Sequence, residues 1–313
     1  MEGENMKKRF LVLAGTLALS IGVLTGCGAP KPEEFVDKMM ENEMSSFAGN
    51  IDMDVDLTVN YQGMGIGLKA NGDMDVEVDS SDKDAPASHV AMNLSYEAMG
   101  SSDTVKTEAY SITEDGQLVA YALEPDSNTW VKTSAEVQEN PLDEETLNKI
   151  REVSADVLKT GEVQKDAVSV NGEDCWVLKV NTTADAYSEV YDIILDAAGD
   201  EAKEELEGSG VDKSMIESYL SYFNVDMTVY ASKKDGRCVK MEWDLAGSDT
   251  AGLLNQVNKD FGTAVAGLGV DLANVSVDFD SLNFSIEYTE WGNVTVTVPD
   301  SVVESAEEVS VNY

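Results

Sequence analysis

The sequence predicts an α+β chain of about a dozen antiparallel strands, with helices inserted at three or four points. Three observations carry this. From Asn50 to Val131 apolar residues recur at every second position between turn signals, the period of half-buried strands. Five other stretches repeat apolar residues at helical spacing. Asn171-Gly172, set between two alternating runs, is a two-residue hairpin signal.

In chain order, residues 33–47 place Phe35, Val36, Met39, Met40, Met44 and Phe47 on one helical face, after two prolines and with Glu33-Glu34 in the first turn. Six strands follow to Val131, divided by Gln62-Gly63, the run SSDKDAP and Asp115-Gly116. Asn140-Pro141 and Asp143 start a helix whose buried stripe is Leu147, Ile150, Val153, Val157 and Leu158. The Asn171-Gly172 hairpin comes next. Tyr187, Val190, Tyr191, Ile194, Leu195, Ala198 and Ala202 mark a long helix, and Met215, Ile216, Tyr219 and Leu220 a shorter one over 212–223. A hairpin turning at Lys234-Asp235-Gly236 precedes an amphipathic helix over 250–269. VSVDFDSLNFSIEY and NVTVTV read as two closing strands.

Composition narrows the partners. The 313 residues carry a formal charge of −39. Nucleic acid is excluded as a partner, because phosphate binding needs clustered Lys and Arg. An anionic membrane surface repels such a body, so any membrane attachment has to come from elsewhere. Residues 1–26 have a basic start, an apolar run and a small-residue exit, the pattern of a removable leader. Without them the chain keeps 18 basic and 58 acidic side chains, a charge of −40.

Leu24-Thr25-Gly26-Cys27 resembles the lipobox of bacterial lipoproteins. That resemblance implies a diacylglycerol on the Cys27 thiol, a lipidated tether over 27–32 and a lipid-anchored place on the extracytoplasmic face of the cell membrane. The length that remains suits one large domain over 33–313, with two smaller ones as the alternative. Two cysteines remain. Cys175 and Cys238 each open the second strand of a hairpin with the parity of Lys179 and Lys240, so both are expected to face outward. With one strand between them they stand about 10 Å apart and unbonded.

Asn50 to Tyr61 reads NIDMDVDLTVNY, with Asp52, Asp54 and Asp56 as an acidic ladder. A calcium loop needs glycine at its sixth position and a carboxylate at its twelfth, where this chain has Leu57 and Gly63. On a strand the three carboxylates share the solvated face, and no metal site is expected. The opposite face carries Met53, Val55 and Leu57, joined by Met74, Val76, Met92, Leu94, Met227, Met241 and Trp243 if every strand turns its apolar residues inward. With Met39, Trp176 and Leu178 these form a candidate cavity lining. Methionine suits such a surface, because its flexible thioether repacks around variable apolar ligands; eleven of thirteen follow the leader. The alternative is that the same residues fill a sealed core.

Enzyme chemistry finds little support. His89 is the single histidine, and HExxH, GxSxG, a glycine-rich phosphate loop and a Cys-His pair are all missing from the sequence. No cofactor is implied.

The tether, the Met-rich first helix, the meander with helical inserts and the stretches NTWVKTS, VNGEDCWVLKV and EYTEWGNVTVTVPDSV together resemble LolA/LppX-like (LppX/LprAFG-like) lipoproteins, including some from Gram-positive bacteria. The resemblance implies a strongly curved antiparallel half-barrel of about a dozen strands, with helices over a concave face that holds lipid. It transfers no catalytic residue. The expectation is a membrane-anchored, non-catalytic lipoprotein that binds a lipid or other hydrophobic ligand. The alternative is an interaction or sensory lipoprotein with a closed core and a protein-binding surface.

Overall fold

The computed structural model describes residues 29–42, 45–61, 63–82, 85–136, 144–182, 184–208, 213–266 and 275–309. Cys27, the leader, Met44, the Asn140-Pro141 helix start and Leu268 lie outside them. Among the described residues the fold is α+β: six helices and one open, curved, mostly antiparallel sheet of thirteen strands.

Helix α1 (Pro32–Met40) leads into strands β1 (Ser46–Tyr61), β2 (Met64–Asp79), β3 (Ala87–Ala98), β4 (Ser101–Glu114), β5 (Gln117–Glu124) and β6 (Thr129–Glu136). Helix α2 (Glu144–Lys159) then precedes β7 (Glu162–Val163), β8 (Val168–Val170) and β9 (Glu173–Thr182). After α3 (Ala184–Gly208) and α4 (Lys213–Leu220) come β10 (Val225–Ser232) and β11 (Cys238–Asp244), α5 (Thr250–Ala266), β12 (Val275–Trp291), α6 (Asp300–Ser305) and β13 (Glu307–Glu308). The strand order is β13-β6-β5-β4-β3-β2-β1-β12-β11-β10-β9-β7, with β8 also on β9. The one parallel pair is β13 with β6. Asp115-Gly116 and Asn171-Gly172 make the tight hairpin turns, both residues of each taking positive φ as the twist of paired strands requires.

The sheet carries apolar clusters on opposite faces at its two ends. At one end α1 and α2 lie on β9–β11, where Phe35, Val36, Met39, Ala155 and Leu158 pack against Leu178, Val180, Val229, Ala231 and Cys238. At the other end Tyr110 and Tyr121, directly opposed on β4 and β5, point to the other face and pack with Val294, Val296 and Val302. The expected strand NVTVTV is thus not a strand. Its alternating valines are real, but the segment lies face-on across the sheet rather than pairing at an edge.

Two further expectations are corrected. Phe47 belongs to β1, pairing with Trp291 and meeting Tyr288 edge-on at 5.5 Å, because α1 stops at Met40. Cys175 and Cys238 are free, with β10 between their strands, but both are buried rather than outward. A register irregularity sets Tyr230 opposite Lys240 and Ala231 opposite Cys238, so one step on β10 spans two on β11 and turns Cys238 into the core. Cys175 is buried beside β8, whose Val168 pairs with it.

The acidic ladder is the wet face, and its register spares most of the repulsion. Asp54 stands opposite Asn71 and accepts its amide hydrogen bond, Asp56 stands opposite Lys69 at 2.6 Å, and Asn50 donates to Asp75. Only Asp52 and Asp73 oppose each other as like charges in the β1–β2 ladder. Asp52→Asn is therefore expected to raise stability by about 0.5 kcal/mol. The gain should shrink as salt is added to the urea titration, and a gain indifferent to salt would rule out repulsion as its source.

Candidate functional site: an apolar cavity between helices and sheet

Alternation and register bring the apolar residues of separate strands into rows. One row runs Gly72, Met53, Phe284, Trp243, Met227, Val180. The next runs Met92, Met74, Ile51, Ile286, Met241, Val229, Leu178. Over the β10–β12 part of these rows the helices stand off and enclose a cavity of about 600 Å³. Helix α2 presents Val153, Val157 and Leu158 to it, and α3 presents Ala186, Tyr187 and Val190. Leu220 and Phe223 close the α4 side, and Val225, Met227, Met241, Trp243 and Phe284 form the floor.

The polar groups of this lining are satisfied within the protein. Thr182 Oγ1 bonds the Val225 carbonyl oxygen at 3.1 Å and the Tyr187 hydroxyl, and Ser154 Oγ donates to the Ile150 carbonyl at 2.8 Å. The hydroxyl protons of these side chains are thus committed within the protein and are not offered to a ligand. The arrangement suits burial of hydrocarbon by the hydrophobic effect.

Of the residues expected to line a cavity, Met227, Met241 and Trp243 do so. Met39 and Leu178 sit in the buried cluster beside it, with Trp176 packed against that cluster and Lys233 Nζ 4.4 Å above its ring centroid. Met53 pairs with Phe284 of the floor and lines not this cavity but a second, larger concavity. Val55, Leu57, Met74, Val76, Met92 and Leu94 are half-buried on β1–β3, outside the cavity. The roof residues and Phe284 had no place in the expected site. Their helical stripes were legible, but not the strands they cover.

A larger concavity, about 1040 Å³, lies on the other face and collects the ladder residues Asp52, Asp54 and Asp73 with Asp226, Glu242 and Asp244. Its lining mixes these carboxylates and neighbouring amides with Met53, Met227, Trp243 and Phe284. No group of three or more His, Cys, Asp or Glu among the described residues is placed to hold a metal ion. His89 stands between Glu77 (3.2 Å) and Glu108 (3.0 Å) and stacks on Tyr110 at 4.3 Å, a packed structural position at the start of β3.

Below the cavity, burial pushes the Cys238 thiol from 9.0 up to about 12 and the Tyr288 phenol from 10.0 up to about 12. Tyr110 and Tyr230 are also raised, first by burial and then by the bonds they donate to Glu108 and Glu242. Above pH 9 for the thiol and above pH 10 for the phenols, the unfolded chain sheds these protons while the folded chain keeps them. Stability then falls by about 1.4 kcal/mol per pH unit for each group until its folded value is reached. The urea midpoint is expected to drop steadily between pH 9 and 11. A flat profile there would mean that these groups are not buried.

Residues 31–251 match the model of a family described as "Family of unknown function (DUF6612)". The chain belongs to the DUF6612 family. The match reaches from α1 into the first turn of α5, so β12, which supplies Phe284, lies beyond the DUF6612 match. No curated protein matches this DUF6612 chain. Among solved structures it is similar to LprF from Mycobacterium bovis at 12% identity and a TM-score of 0.37, over 87% of this chain and 98% of that one. It is similar to lipoprotein LppX from Mycobacterium tuberculosis at 11% identity and a TM-score of 0.33, over 86% and 98%. A DUF1329 family protein from Desulfovibrio piger is similar at 10% identity and a TM-score of 0.19, over 86% and 94%. No helix among the described residues is long and apolar enough to cross a membrane.

Proposed function

We propose that this chain is a membrane-anchored extracytoplasmic lipoprotein, acylated at Cys27, that binds a lipid or other hydrophobic ligand without catalysing a reaction. The observation that carries the reading is the apolar cavity of about 600 Å³ between α2–α4 and β10–β12, whose hydroxyls are already bonded within the protein. An apolar floor that served only as a core would close against its helices at the packing density of protein interiors. Membrane attachment rests on the lipobox-like LTGC and on the acidic body, which needs a covalent anchor to stay near an anionic bilayer.

The test is organic extraction of the protein purified from membranes, with mass spectrometry of the extract. A lipid present at about one per chain supports the carrier reading. An empty protein that also takes up nothing from added membrane lipids overturns it.

The concave acidic face favours a second reading, a module that recruits a cationic protein partner. A salt-sensitive partner captured by an empty protein would select that reading.

A further inference from the structure

The cavity and its surroundings together narrow the ligand. At about 30 Å³ for a water-sized group, 600 Å³ takes on the order of twenty such groups, the bulk of one long hydrocarbon chain. The head of such a molecule is placed outside, because the lining is almost entirely apolar and its hydroxyl protons are already committed.

The exposed surface of the enclosing helices carries carboxylates. Glu152 on α2 and Glu189 on α3 are exposed next to lining residues Val153 and Val190. Among the described side chains, the lysines of the enclosing helices are already held: Lys149 by Glu145 at 2.8 Å, Lys159 by Asp37 at 2.9 Å, and Lys213 by Asp192 at 2.5 Å with Glu217 at 3.6 Å. Arg151 is turned to the Asn148 side-chain oxygen at 3.3 Å. Away from Arg151, an anionic head would have to displace a carboxylate from one of these lysines, and everywhere it would enter the field of a chain with net charge −39. A head with no net negative charge meets neither cost.

On top of the proposed carrier function, on which this step rests, we infer that the cavity takes a single-chain amphiphile whose head carries no net negative charge, and discriminates against anionic heads on the same chain. The selectivity is electrostatic and long-range, so it weakens as ionic strength shortens the Debye length.

The experiment is competitive native mass spectrometry of the full chain with equimolar palmitoyl-lysophosphatidylcholine and palmitoyl-lysophosphatidylglycerol, in 20 mM and in 500 mM ammonium acetate. The two probes share their acyl chain and differ in head charge. The expected result is one molecule per chain, with the zwitterionic probe in about tenfold excess in dilute salt and only a few-fold excess in concentrated salt. Glu152→Lys with Glu189→Lys, both outside the lining, is expected to shift the ratio toward the anionic probe without lowering occupancy by the zwitterionic one. Equal occupancy by the two probes, or a ratio indifferent to salt, overturns the inference and leaves the carrier reading standing. Binding of neither probe overturns the inference, and the carrier reading falls with it only if the protein also takes up nothing from added membrane lipids.

Discussion

Leu178→Ala is expected to lower the unfolding free energy by about 3 kcal/mol, seen as a fall in the urea midpoint with an unchanged slope. Leu178 is fully buried where α1, α2 and the sheet meet, among Phe35, Val36, Leu158 and Val229. Truncation removes three methyl or methylene equivalents and leaves a void that three elements hold open, so lost transfer energy and cavity cost add. Leu118→Ala, at an exposed position on β5, is the control and should cost less than about 0.5 kcal/mol. Equal losses at the two sites would show that α1 and α2 do not seal this end of the sheet.

Met241→Trp is expected to reduce retained ligand at least about tenfold while changing stability by less than about 1.5 kcal/mol. Met241 lies on the cavity floor between Val229 and Ile286, and an indole there fills space that the ligand needs. Overpacking a filled core would cost more, so the small stability change is as informative as the lost ligand. Met74→Trp sits on the same face and in the same row, outside the lining, and should leave the ligand in place. If Met74→Trp empties the protein and Met241→Trp does not, the ligand lies along β1–β3 instead.

The face shared by Met53, Met227, Met241 and Trp243 was legible because strand alternation has a period of two, and a slip of one residue would have turned acids inward. The hairpins were legible from Asp115-Gly116, Asn171-Gly172 and Asp235-Gly236, whose turn chemistry is local. Cys238 was misread because parity holds only along an unbroken ladder, and nothing in KKDGRCVK announces the irregularity beside it. The valines of NVTVTV were seen, but alternation does not say whether an extended segment joins a sheet at its edge or lies across it. The cavity itself was not legible. Its roof comes from α2, α3 and α4 and its floor from β10–β12, and the distance between roof and floor depends on how whole elements pack.

The two apolar clusters, on opposite faces of one sheet, share no residue. Between them β2 and β3 are built of half-buried and exposed positions, joined to each cluster by backbone hydrogen bonds more than by packed side chains. The molecule therefore behaves as two cooperative units on a common ribbon, each able to open without the other. Amide hydrogen exchange should separate into two classes, one for β9–β11 with their helices and one for β4–β6 with residues 294–302. Emptying the cavity should speed exchange in the first class and leave the second unchanged.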